Sequence, residues 1–78
     1  MSLYASIDTV HGFQTLDLKQ SFGDEATNLN HAVEMMKDLG YGARPAYVFE
    51  ADSIEEADAA TESFKVNQKP AGLNCVRL

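Results

Sequence analysis

The candidate soft ligands for a transition metal in this sequence are His11, His31 and Cys75, and they are widely separated. A structural zinc site needs about four convergent ligands, and no C-x-x-C or H-x-x-x-H pair is present. A cysteine nucleophile needs a base to activate it, and no spacing signal supplies one for Cys75. The sequence therefore predicts no metal, no cofactor and no catalytic residue, and we expect a protein that is not an enzyme.

Carboxylates are the one reactive group that the chain concentrates. Six of the twelve acidic residues lie between Glu50 and Glu62, where there is no Lys or Arg, and the rest of the chain carries equal numbers of acids and bases. The formal net charge of −6 thus belongs to this single segment. Catalytic carboxylates are found where shielded surroundings shift their pKa values. Whether this segment can do chemistry therefore depends on whether the helices and strands that carry it shield its carboxylates or expose them.

The first element predicted by the sequence is a β-hairpin over residues 3–20. His11 and Gly12 form a two-residue loop of the kind that suits a primed turn, between two runs of alternating apolar residues. This turn pairs Val10 with Phe13 and places one apolar face of the hairpin toward the core.

A helix is predicted next, in the stretch DEATNLNHAVEMMKDLG. Asp24 is the predicted N-cap, and Gly40 is the predicted residue of positive φ that ends the helix, with Tyr41 closing onto Met36. Apolar residues recur at spacings of three and four and predict the buried stripe: Leu29, Ala32, Val33, Met36 and Leu39.

The second half of the chain predicts a strand, a helix and a final strand. Four successive apolar residues at 46–49 are typical of a central strand that is covered on both faces. Ser53 and Glu56 form a capping box for a helix that ends near Val66, and LNCVRL is the last strand. The predicted buried side of this helix consists of Ile54, Ala57, Ala60, Thr61 and Phe64.

These elements predict one α+β domain over residues 1–78, with the order β-β-α-β-α-β. Connections between parallel neighbouring strands are right-handed, and applying this rule to both helices places them on the same side of the sheet. We therefore expect a two-layer sandwich in which a four-stranded mixed sheet carries two helices on one face.

Three acids of this segment, Glu55, Asp58 and Glu62, fall on the second predicted helix well away from its buried side, and Glu56 lies on the flank. Glu50 and Asp52 precede the helix. A solvated helix face is normally charged, and acids in the first turn gain from the helix dipole, so solubility alone is the simpler interpretation. However, Asp58 has like-charged neighbours at Glu55 and Glu62, where a Lys would have stabilised the helix. We define the acidic face by the residues that we predict to bind a partner: Asp52, Glu55, Glu56, Asp58 and Glu62.

A second interface is predicted on the sheet face that the helices leave open. If both helices cover one face, the other face exposes Tyr4, Val10 and Phe13, together with Tyr47 or Phe49. An apolar patch of this kind marks a homodimer or ligand interface. Alternatively, the long side chains of Lys19 and Arg77 cover it.

Charge and segment composition limit the partners and the location. The start of the chain lacks the basic and apolar regions of a signal peptide, and no apolar run is long enough to span a bilayer. We expect a cytoplasmic protein (in the host cytoplasm if a phage encodes it). The acidic charge argues against direct binding of nucleic acid or membranes.

The expected partner is a basic protein surface, including one that itself binds nucleic acid. In size and charge the chain is analogous to phage and mobile-element inhibitors, such as anti-CRISPR proteins and anti-restriction DNA mimics, and to bacterial immunity proteins. This is an analogy of gross properties, which does not by itself assign a function. The alternative prediction is a homodimer that binds a small ligand through its open sheet face.

Overall fold

The computed structural model describes residues 2–23 and 27–78. It contains a four-stranded sheet with the spatial order β2-β1-β3-β4, in which every neighbouring pair is antiparallel. The predicted α+β fold and the order β-β-α-β-α-β are confirmed, with one additional short helix, α1. In chain order the elements are β1 (Ser2–Thr9), β2 (Gly12–Asp17), α1 (Leu18–Phe22), α2 (Leu29–Asp38), β3 (Ala46–Ala51), α3 (Ile54–Lys65) and β4 (Cys75–Arg77).

The helices lie on opposite faces of the sheet, which corrects the prediction that they share one face. Tyr4 and Phe49 pack with the buried residues of α3, which do not include Ile54, predicted to be buried but 43% exposed. Ala5 and Val48, the chain neighbours of Tyr4 and Phe49, pack with α1 and α2. Because successive strand residues point to opposite faces, the sheet is covered on both sides. The molecule therefore has three layers rather than two.

The antiparallel pairing explains both differences from the predicted mixed sheet with one helical layer. Strands β2 and β3 flank β1 and are each antiparallel to it, so they run parallel to one another, and the right-handed crossover rule applies to the connection that contains α1 and α2. Strands β3 and β4 are antiparallel neighbours, so the rule does not constrain the side on which α3 packs. Helix α3 is free to cover the other apolar face.

The hairpin turn lies one residue earlier than predicted. Thr9 pairs with Gly12, so the loop residues are Val10 and His11, and Phe13 pairs with Asp8. The Thr9 hydroxyl accepts a hydrogen bond from the His11 amide at 3.1 Å and donates to the Gly12 carbonyl at 2.7 Å. Gly12 has a φ of +94° and no other described residue of the turn has positive φ, which is the pattern of a type I turn followed by a glycine bulge.

Helix α1 occupies residues that were predicted to continue the second strand. The Asp17 carboxylate accepts hydrogen bonds from the Lys19 and Gln20 amides at 3.0 and 3.3 Å, which is N-cap geometry. Leu18 is thereby turned into the core beneath α2. An N-cap residue at the end of the strand outweighs the alternating pattern that continues past it.

Helix α2 ends as predicted. The Tyr41 amide donates to the Met36 carbonyl and the Gly40 amide donates to the Lys37 carbonyl, both at 3.0 Å, and Gly40 has a φ of +91°. These two bonds define a Schellman motif. At the other end the N-cap is Asn28, whose side chain accepts from the His31 amide at 3.0 Å. The predicted cap, Asp24, lies outside the described residues.

Candidate protein-binding surface

Helix α3 carries the acidic face, and both of its ends are fixed by specific hydrogen bonds. The Ser53 hydroxyl accepts from the Glu56 amide at 3.2 Å, which is the N-cap bond of the predicted capping box. The reciprocal bond, which the Ser53 amide would donate to the Glu56 side chain, is absent among the described residues. At the C-terminal end Asn67 has a φ of +59°, and the Gln68 amide donates to the Ser63 carbonyl at 2.9 Å. Asparagine is one of the few residues that tolerate this left-handed conformation. The helix therefore has a defined length and a defined exit.

An aromatic stack attaches the C-terminal half of α3 to the sheet. The ring of Phe64 lies parallel to that of Tyr47, with centroids 4.1 Å apart and an interplanar angle of 2°, and it also contacts Phe49. The rings of Tyr4 and Phe49 extend this cluster toward the start of the helix. Burial of aromatic rings is among the largest apolar contributions to a small core, so Phe64 is the main anchor of α3.

Three hydroxyl groups connect the middle of α3 to the sheet. Thr61 is bonded through its hydroxyl to Ser6 of β1 at 2.5 Å and to Thr15 of β2 at 2.7 Å. Ser6 has no exposed surface and Thr61 is 4% exposed, so these groups depend on one another rather than on solvent. The network therefore helps to hold α3 on β1 and β2.

All five residues of the acidic face are exposed to solvent. Among the described residues, Glu62 is the only one of the five in an ion pair, with its carboxylate 2.9 Å from Lys65 Nζ. Glu55 and Glu56 lie in the first turn of α3, where the helix dipole favours negative charge. Asp58 has no such compensation, because Glu55, three residues before it, and Glu62, four residues after it, are both acids. The surface thus carries charge that the described part of the fold does not neutralise.

Several acids outside the acidic face have intramolecular roles. Asp17 caps α1, the Asp8 carboxylate lies 3.8 Å from the guanidinium of Arg44, and Glu50 accepts a hydrogen bond from the Asn74 side chain at 3.3 Å. Glu50 is half-buried on the inner strand β3, so it does not extend the acidic face. These contacts distinguish structural carboxylates from those of α3.

The phenol of Tyr4, which packs in the cluster beneath α3, has a pKa that is shifted mainly by burial. Burial raises the pKa of the Tyr4 hydroxyl above its usual value of 10.0, and the negative charges of Asp17 and Glu55 raise it further, while a hydrogen bond with Ser2 opposes the shift.

The second predicted interface is not an open sheet face, because α3 covers it. Tyr4 is only 5% exposed, and Phe13 is half-buried with its ring centroid 6.4 Å from that of Tyr47. Val10, at 82% exposure, lies in the hairpin turn rather than in a patch. The guanidinium of Arg77 lies 5.9 Å from the centre of the Tyr47 ring. This position agrees with the alternative prediction that the long Arg77 side chain covers part of the apolar surface.

The remaining candidate ligands lie in separate places. His31 is exposed on α2 and is hydrogen-bonded to the Thr27 hydroxyl at 2.7 Å, His11 is in the hairpin turn, and Cys75 is half-buried on β4. Within residues 2–23 and 27–78, no three His, Cys, Asp or Glu side chains are grouped so that they would hold a metal ion.

A groove beside the acidic face was not predicted from the sequence. It lies between α3 and the turn that precedes β4, and Ala59, Ser63 and Pro70 are among its lining residues. Small side chains at 59, 60 and 63 are visible in the sequence, but their approach to residues 70–73 is a tertiary contact. Helical periodicity carries no information about such a contact.

Comparison with protein-family models found no match, and searches of curated proteins and of solved structures found no similar protein. None of the helices in the described parts of the chain is long and apolar enough to cross a membrane.

Proposed function

We propose that this protein is a small acidic binding module that docks its acidic face on a Lys- and Arg-rich surface of another protein, as an inhibitor or regulator does. The observation that carries the proposal is the largely uncompensated charge of the acidic face: four exposed carboxylates on α3 and a fifth, Asp52, just before it, with one ion pair among the described residues. A surface of one sign attracts a partner of the opposite sign and accelerates its association.

The spacing of the carboxylates favours a nucleic-acid-binding surface as the target. With a rise of about 1.5 Å per residue, Glu55, Asp58 and Glu62 follow one another at about 4.5 and 6 Å along α3. The phosphates of one DNA strand follow at about 3.4 Å along the duplex axis. The charge spacing on α3 is within a factor of about two of the spacing along one DNA strand, so Lys and Arg side chains placed for phosphates can also pair with these carboxylates.

The homodimer alternative has lost its structural basis, because the open sheet face on which it depended is covered by α3. No other described feature of the molecule favours it over the acidic module.

The proposal is tested with two matched charge reversals. Asp58→Lys/Glu62→Lys reverses two exposed acids four residues apart on α3, and Glu34→Lys/Asp38→Lys does the same on α2, across the sheet. Both variants change the net charge equally, so solubility and overall charge are controlled. We expect a partner from host lysate to be retained at low salt by the wild type and by the α2 variant, to be lost from the α3 variant, and to be displaced by duplex DNA.

Two results would contradict the proposal. One is retention of the same partner by the α3 variant, and the other is equal loss from both variants, which would reduce the effect to net charge. Far-ultraviolet circular dichroism confirms in each case that the variant is folded.

A further inference from the structure

A shallow groove of about 270 Å³ runs along the flank of α3 next to the acidic face. One wall consists of Ala59, Ala60 and Ser63 of α3, and the other consists of the chain from Pro70 to Leu73. The small side chains of the helical wall leave the space open, and Leu73 closes the groove on the core side, where it packs against the aromatic cluster. The groove therefore combines apolar and polar surface, of which the apolar part is the larger.

Both walls are held in place by the fold, so the groove exists before any partner binds. The Leu73 amide donates to the Pro70 carbonyl at 3.4 Å, and Gly72 has a φ of +74°. A glycine of positive φ at the third position is the arrangement of a type II turn. The helical wall is fixed by the hydroxyl network and the Phe64 stack described above. Binding in a preformed groove avoids the entropy cost of ordering its walls.

The groove and the acidic face share a border along α3. Ala59 follows Glu55 by four residues and precedes Glu62 by three, so it lies between them on the helix surface, and Glu56 lines the rim. The negative charges are thus all on the helical side, while the exposed Lys69 precedes the opposite wall. A chain that occupies the groove therefore meets carboxylates along one side only.

We infer that the groove receives an apolar side chain of the size of leucine, presented by a Lys- and Arg-rich segment whose cations lie on the acidic face. This inference rests on the proposed function and specifies the chemistry of the partner: an apolar anchor flanked by positive charge. Apolar burial is not screened by salt, whereas exposed charge pairs are. The anchor supplies binding that remains at ionic strengths where the charge contribution has become small.

The test uses two synthetic peptides of alternating lysine and glycine, one with a central leucine and one with a central serine. Their affinities for the wild-type protein are measured by NMR chemical-shift titration at low and at high salt. We expect the leucine peptide to bind roughly tenfold more tightly, a difference of about 1.4 kcal/mol, with the ratio maintained at high salt. Shifts should be largest at Ala59, Ser63 and Leu73.

A groove-filling variant and a matched control locate the effect. Ala59→Leu occupies the groove without a change of charge, and Ala43→Leu makes the same change at an exposed alanine of the α2–β3 loop. We expect Ala59→Leu to abolish the preference for leucine and to leave the affinity for the serine peptide unchanged, whereas Ala43→Leu should alter neither.

The possible outcomes separate this inference from the proposed function. Equal, salt-sensitive binding of both peptides would overturn the apolar anchor and leave the acidic docking surface standing. Failure of both peptides to bind the wild type would overturn both. A leucine preference that survives in Ala59→Leu would contradict the groove as its location.

Discussion

Replacement of Thr61 by valine tests how α3 is held on the sheet. Valine has nearly the shape of threonine, so the packing of α3 is preserved while the hydroxyl is lost. The substitution removes the bonds to Ser6 and Thr15, at 2.5 and 2.7 Å. Ser6 has no exposed surface, so its hydroxyl is left without its partner in the interior. Thr15 is half-buried and regains a bond from water.

The expected destabilisation follows from these two different fates. An unsatisfied buried hydroxyl costs about 1–3 kcal/mol, and a hydrogen bond that water replaces costs about 0.5–1.5 kcal/mol or less. We therefore expect Thr61→Val to lower the free energy of unfolding by about 2 kcal/mol. For a domain of this size the loss corresponds to a decrease in Tm of roughly 8–16 °C.

Urea unfolding followed by circular dichroism measures the effect, and Ser6→Ala provides the control. The double variant Ser6→Ala/Thr61→Val leaves no hydroxyl without a partner at Ser6, so it should be no less stable than Thr61→Val alone. The double-mutant cycle should give an interaction energy between Ser6 and Thr61 of about 1 kcal/mol. If Thr61→Val unfolds within about 0.5 kcal/mol of the wild type, as ordinary surface substitutions do, the network does not position α3 and the reasoning is refuted.

Two further predictions concern charge. Burial and the nearby acids Asp17 and Glu55 raise the pKa of Tyr4 above 10.0, so the folded state holds the phenolic proton more tightly than the unfolded state, and the free energy of unfolding falls as the pH rises above about 10. Tyr4→Phe should remove this part of the fall, as measured by urea unfolding at several pH values. Identical pH profiles for the wild type and the variant would contradict the shift. Asp58→Lys turns the two like-charge pairs with Glu55 and Glu62 into opposite-charge pairs, so it should raise the free energy of unfolding by about 0.5 kcal/mol. The same substitution should weaken partner binding. A variant that is less stable than the wild type would instead show that Asp58 has a structural role.

The features predictable from the sequence are those that local interactions determine. Gly40 and Tyr41 end α2 with two short-range hydrogen bonds, and their types alone predict that geometry. The apolar run at 46–49 lies in β3, which is paired on both sides and packed on both faces. The exposure of the acidic face follows from the period of α3, which needs no tertiary information.

The features that sequence reasoning missed depend on contacts between distant residues. The antiparallel pairing of β3 with β4 leaves α3 free to pack on either face of the sheet, and no residue in α3 specifies that pairing. The side chains of Tyr4 and Phe13 form an apolar surface in either arrangement, so their pattern does not show whether a helix covers them. The groove beside Ala59 likewise requires that residues 70–73 lie close to α3. The local sequence of these residues does not show which element they approach.

The most direct test of the acidic docking surface is the salt dependence of the affinity for the captured partner, measured by calorimetry. For the wild type we expect the affinity to fall steeply as the Debye length shortens from about 10 Å at 0.1 M to about 3 Å at 1 M, and for Asp58→Lys/Glu62→Lys we expect weak binding with a shallow slope. An affinity that is indifferent to salt in the wild type, or a slope that the double reversal leaves unchanged, would contradict the account.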